Sequence, residues 1–155
     1  MYRKYSYIGE VKESQTDYNV MSVQNREHRD KLIKKGGILC IKIYADWCEP
    51  CKVIAPEYAK MAKQYITENK CICVQENLNN GIAKEYDVTV VPTFLIFFRG
   101  YLNQNIQGAD LNKIKSVIDS LVNNSNEIHS ISNTMKSVSN HEPLYRSNYG
   151  QNPHV

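Results

Sequence analysis

The sequence predicts an α/β fold in which a central mixed β-sheet is flanked by helices. Three observations carry this. Two apolar runs, "ILCIKIYA" (38–45) and "TFLIFF" (93–98), read as strands buried on both faces, as in the middle of a sheet. Segments with helical spacing alternate with the strands. The pattern then closes with a strand pair and an amphipathic helix. At 155 residues the chain is sized for one domain and long enough to bury a core.

Along the chain, residues 1–17 are polar and tyrosine-rich and read as an N-terminal extension. "YNVMSV" (18–23) has the pattern of a short first strand. "QNREHRDKLIKKG" (24–36) reads as a mostly polar helix that contacts the core through Leu32 and Ile33 and stops at Gly36-Gly37. Residues 49–65 place Ile54, Tyr58, Met61 and Tyr65 on one helical face. Pro56 lies within that helix, lacks an N–H, and is expected to kink it. "CICVQ" (71–75) is a short strand and 80–86 a short helix. After the strand at 93–98, Arg99-Gly100 turns the chain into another strand, 101–107. In the helix at 110–122, Leu111, Ile114, Ile118 and Leu121 share a face, and Asp110 is placed to cap its first turn. Past residue 123 the chain becomes rich in Asn and Ser. Residues 125–155 are therefore expected to form a disordered polar tail, with a short docked helix at 126–138 as the alternative. The domain proper is expected to span 18–124.

Composition excludes several classes of function. A net charge of +3 is too small to argue for nucleic acid or an acidic membrane surface. No segment reaches the roughly 18 apolar residues of a membrane span. The N-terminal stretch shows no apolar core of a secretory signal, which leads to an expectation of a cytoplasmic protein. Abundant Asn, Lys, Ile and Tyr suggest an AT-rich genome, and a large DNA virus as source would make the virion an alternative location. In a reducing compartment a Cys-x-x-Cys is more often catalytic or metal-binding than a static staple.

That pair stands at Cys48 and Cys51, and three chemistries compete for it: a zinc half-site, a structural disulfide and a redox couple. A redox couple needs one exposed cysteine held as thiolate and a second within reach to resolve the mixed disulfide. A helix beginning near Cys48 would supply the first condition through its free N–H groups and macrodipole, with Cys48 as nucleophile and Cys51, one turn further in, as resolver. Zinc needs four ligands. Cys71 and Cys73 make a poor second pair, because Ile72 between them reads as core; Cys40, Cys71 and Cys73 read as small buried hydrophobes.

"DWCEPCKVIAPEY" (46–58), "VTVVPTFLIFFRG" (88–100) and "GADLNKIKSVI" (108–118) together resemble the thioredoxin family in order and spacing. The resemblance covers about residues 18–124. It implies the thioredoxin fold and a thiol–disulfide oxidoreductase that reduces protein disulfides. Cys48 is implied to attack the substrate disulfide and Cys51 to resolve it, the two forming the redox-active disulfide. Trp47 is implied to belong to the docking surface. Pro92 is implied to be the family's cis-proline, with the Val91 backbone pairing to an extended substrate strand. Gly100 and Gly108 match family glycines. The resemblance also implies a monomer without organic cofactor or metal, recharged by a reductase of the thioredoxin-reductase type.

Two positions depart from the family pattern. Glu49 occupies the usual glycine position between the cysteines, where an anion tends to raise the nucleophile's pKa while the helix dipole favours it. Lys42 stands six residues before Cys48, where the family has a buried acid. A lysine inside an apolar strand predicts a partner, and Glu76 on the neighbouring strand is the candidate for a reversed ion pair. Lys42, Glu49 and Glu76 are thus candidate modulators of the couple. A neutral Lys42 would act as a base, a charged one would favour thiolate, and one that snorkels to solvent would do neither. Two alternatives stay open: a thiol oxidase or disulfide isomerase on the same fold, and a binding module with little turnover.

Overall fold

The structure, a computed structural model, describes residues 20–138. The extension at 1–17 and the chain after 138 lie outside the described residues.

The chain enters along the sheet edge. Ser22 makes a parallel bridge to Gln75, with Val23 N donating to Gln75 O and Gln75 N to Met21 O. The expected first strand is thus reduced to a bridge within its described part. Helix α1 (Arg26–Lys34) follows, and Asn25 caps it by accepting from His28 N at 2.9 Å. Strand β1 (Ile38–Tyr44) is buried at every position but the last. Helix α2 (Glu49–Thr67) runs through Pro56 and buries Ile54, Tyr58, Met61 and Tyr65, the face expected from their spacing. Strand β2 (Ile72–Asn77) leads through a 3-10 turn at Leu78–Asn80 into the short helix α3 (Ile82–Glu85). Strands β3 (Thr93–Phe98) and β4 (Tyr101–Gln107) form a hairpin. Its turn places both Arg99 (φ 53) and Gly100 (φ 86) in the left-handed region, as a two-residue hairpin turn requires.

The four strands order as β2-β1-β3-β4, with β1 parallel to β2 and antiparallel to β3. Polar β4 forms an edge, where only Ile106 is buried. Alternation along the strands divides the core in two. One face carries Cys40, Cys73, Phe94, Ile96 and Ile106 against α2 and the last helix, α4. The other carries Leu39, Ile41, Ile43, Val74, Leu95 and Phe97 against Leu32 of α1 and Ile82 of α3.

Helix α4 (Leu111–Val138) begins as expected, with Asp110 Oδ1 accepting from Lys113 N at 3.0 Å. Ile114, Ile118 and Leu121 are buried. The helix does not stop at residue 122, however. It continues to Val138, and from Asn126 to Lys136 its side chains are exposed. The described part of this stretch, 125–138, is therefore helical. Local i→i−3 and i→i−4 bonds from Ser125, Ser130 and Thr134 hydroxyls to backbone carbonyls accompany this turn-by-turn continuation.

Candidate active site: the Cys48–Cys51 disulfide

The C-terminal end of β1, the start of α2 and the loop before β3 meet at one point. Ala45, Cys48 and Cys51 form a small buried cluster there, packed by Tyr44, Leu78 and Val91. Cys48 is the N-cap of α2, with Glu49 and Pro50 following and Cys51 one turn in. Proline at the second helical position costs no hydrogen bond, because the first-turn N–H groups have no partner within the helix. Cys51 N donates to Cys48 Sγ at 3.2 Å, a free helix N–H aimed at the sulfur. The two cysteines are joined as a disulfide, with Cα atoms 5.3 Å apart.

The sequence predicts an exposed Cys48 beside a buried Cys51. Both are instead only 3% exposed, because each sulfur turns toward the other beneath Leu78 and Val91. The exposed group is Trp47, open to solvent over 74% of its surface. The Val91-Pro92 bond is cis, as the resemblance implies. Val91 packs on the cysteine cluster, and Pro92 O accepts from Gly108 N at 2.8 Å, which brings the turn before α4 to the same place.

Lys42 and Glu76 do not pair. In the parallel β1–β2 register Lys42 lies opposite Gln75 and Ile43 opposite Glu76. One residue out of step puts the two side chains on opposite faces of the sheet. Glu76, fully buried, bonds Arg29 Nη1 at 2.6 Å, and Arg29 Nη2 reaches Glu85 at 2.6 Å. Burial pushes the Glu76 carboxyl up to about 7 against the pull of Arg29. Arg29 was not anticipated as the partner. Its signal was a long cation one turn before Leu32, on the face of α1 that meets the sheet.

Lys42, 3% exposed, lies on the α2 side of the sheet. Its Nζ stands 5.2 Å from the centre of the Tyr58 ring and 5.9 Å from that of Tyr44, the tyrosine that packs on the disulfide. Among the described residues no carboxylate forms an ion pair with it, and burial lowers its pKa. Glu49 is solvated, its side chain 77% exposed, with Oε1 3.3 Å from Lys52 Nζ.

Cys40, Cys71 and Cys73 are free and buried. Cys73 Sγ lies 3.7 Å from Cys71 Sγ, and the Tyr58 hydroxyl lies 3.7 Å from Cys40 Sγ. Hydrogen bonding to Cys73 and burial push the Cys40 thiol well above its ordinary pKa, which disfavours its thiolate. They lie toward the opposite end of the sheet from the Cys48–Cys51 pair, since Cys71 precedes β2 and Cys48 follows the parallel β1. Among the described residues no group of three or more His, Cys, Asp or Glu is arranged to hold a metal ion.

The thioredoxin family model matches residues 19–120. A thioredoxin of Neurospora crassa is 39% identical over 109 residues, spanning 66% of this chain and 86% of that protein. This chain belongs to the thioredoxin family. The oxidised mitochondrial thioredoxin 3 of Saccharomyces cerevisiae superposes with a TM-score of 0.62 at 30% identity, covering 68% of this chain and 99% of that one. Human protein disulfide-isomerase A4 is 34% identical over 101 residues, which is 60% of this chain but 16% of that much longer protein. The fold is the thioredoxin fold, and the protein is a thiol–disulfide oxidoreductase with Cys48 and Cys51 at disulfide distance. Among the described residues no helix is long and apolar enough to cross a membrane.

Proposed function

We propose that this protein reduces protein disulfides in the cytoplasm, with Cys48 as nucleophile and Cys51 as resolving thiol. The observation that carries the assignment is the placement of Cys48 as N-cap of α2 with a backbone N–H directed at its sulfur. That environment favours the thiolate, and Cys51 sits one turn deeper, within reach of the mixed disulfide. The Cys48 thiolate attacks one sulfur of the substrate disulfide and expels the other as thiolate. Cys51 then loses its proton and attacks Cys48 Sγ, releasing the second substrate thiol. Two electrons pass to the substrate and the protein is left in the disulfide form.

Trp47, exposed beside the pair, and the backbone of Val91 next to cis-Pro92 form the substrate-binding edge in this reading. Lys42 modulates the couple through the Tyr44 wall, and Glu49 from the solvent side. Glu76, held by Arg29 on the other face, acts only by anchoring the segment that leads to Leu78. A reductase of the thioredoxin-reductase type returns two electrons and two protons. In this reading the protein acts as a monomer. Three buried, unpaired thiols fit a reducing compartment.

The test is insulin-disulfide reduction together with the reduction potential of the couple. A potential near about −270 mV, with activity lost in Cys48→Ser and a trapped mixed disulfide in Cys51→Ser, is the expected result. A value between about −120 and −180 mV would instead favour the oxidase or isomerase reading. Full activity in Cys48→Ser would remove the assigned nucleophile.

A further inference from the structure

Charge around the disulfide is distributed unlike charge over the chain as a whole. The chain carries a net +3. At the cysteines, segment 45–52 packs with Val91, and the turn 108–110, which carries Asp110, is tied to Pro92 by the Gly108 bond. Segment 45–52 carries Asp46 and Glu49 against one base, Lys52, while Lys42 lies buried beside Tyr44. Asp110 is engaged in capping α4. Glu49 differs from the other acids in position. It lies between the two cysteines on the first turn of α2, follows the attacking residue directly, and is exposed to solvent, as is Trp47. Its contact with Lys52 joins two side chains that are 77% and 58% exposed, a pair too weakly held to hide the carboxylate from an arriving molecule.

We propose that Glu49 is a specificity-determining residue of the exchange reaction, favouring disulfides flanked by positive charge over those flanked by negative charge. The physical reason is proximity. Any disulfide aligned for attack at Cys48 brings the groups next to its sulfurs close to the neighbouring carboxylate. Both groups then lie within about a Debye length, where the interaction survives physiological salt. The substrate class follows: disulfides with Lys, Arg or an amine beside the half-cystines. The proposal rests on Cys48 being the nucleophile, and its test separates the two.

Small disulfides of fixed charge serve as probes: dicationic cystamine, neutral hydroxyethyl disulfide and dianionic 5,5′-dithiobis(2-nitrobenzoate). The fully reduced protein is mixed with each, and the second-order rate of its oxidation is measured. In every case the protein dithiol becomes the Cys48–Cys51 disulfide and the probe is reduced to two thiols. Replacing Glu49 by Gln also alters thiolate reactivity toward all three probes, but that effect cancels in the cystamine-to-dianion ratio of rates. The ratio is expected to fall about two- to fivefold in Glu49→Gln and further in Glu49→Lys. The wild-type ratio should shrink toward that of Glu49→Gln as salt is raised to about 1 M, where the Debye length is ~3 Å. A ratio unchanged in both variants, with all three probes still reacting, overturns the role of Glu49 and leaves the oxidoreductase reading intact. Absence of reaction with every probe in the wild type would instead overturn the assignment of Cys48.

Discussion

Replacing Lys42 by Met should make the protein more stable. The lysine is 3% exposed, in the middle of the central strand, with two tyrosine rings and no carboxylate as its polar company among the described residues. Removing an ammonium from water costs several kcal/mol even after relaxation. The two ring contacts, centred 5.2 and 5.9 Å from Nζ, return about 0.5–2 kcal/mol each. Methionine has similar length, carries no charge and fills the same space between Tyr44 and Tyr58. The net gain expected at pH 7 is therefore about 1–3 kcal/mol, read from urea unfolding of the oxidised protein. A pH series sharpens the test. Burial lowers the Lys42 pKa in the folded state, so the folded chain binds fewer protons here than the unfolded chain. Lys42 thus costs stability below its folded pKa, and the loss is recovered as pH rises toward the unfolded value of about 10.4. The Met variant has no such recovery, and the stability gap should narrow between pH 7 and pH 10. A Met variant less stable at pH 7, or a gap that stays constant with pH, would show that the ammonium is well solvated or paired and refute the reasoning.

Other consequences can be measured alongside. If Lys42 is charged near the couple it favours thiolate over disulfide, so Lys42→Met should shift the reduction potential to more negative values by about 10–30 mV; no shift would remove Lys42 from the chemistry. Arg29→Met leaves Glu76 buried without its cation and should cost about 3–5 kcal/mol, whereas a loss below about 1 kcal/mol would mean that the pair contributes little. Glu76 itself, with its pKa raised to about 7 in the folded state, binds more protons folded than unfolded between about pH 4.3 and 7. Its contribution to stability falls as pH rises through that window, and Glu76→Gln should flatten that part of the stability profile. Ile118→Ala, at a fully buried position of α4 against the sheet, should cost about 2–5 kcal/mol by thermal or urea unfolding, and a smaller effect would place the helix more loosely than its burial indicates.

Much of this was written in local pattern. The limits of β3 and β4 could be read directly, because an apolar run and a turn bracket them. The buried face of α2 followed from its spacing, and the Asp110 cap from its chemistry. The Cys48–Cys51 pair at a strand-to-helix junction was legible for the same reason: three residues of separation plus a helix start leave the sulfurs adjacent.

What local pattern does not encode is which face a side chain takes relative to another strand. Lys42 and Glu76 attract each other on paper, but a parallel register that sets Lys42 against Gln75 sends them to opposite sides of the sheet. Arg29, 47 residues away from Glu76 in the chain, became its partner only when α1 packed there. Burial of Cys48 likewise depends on Leu78 and Val91, which arrive from two other parts of the chain. The continuation of α4 past residue 122 was masked by its Asn and Ser content, although Ile128, Ile131 and Met135 recur there at helical spacing. By itself, then, the sequence determined most of the elements and the redox pair, since these rest on neighbours within a few residues. Register and packing decided the electrostatic partners and the access to the sulfurs, because both depend on side chains that only the folded sheet brings together.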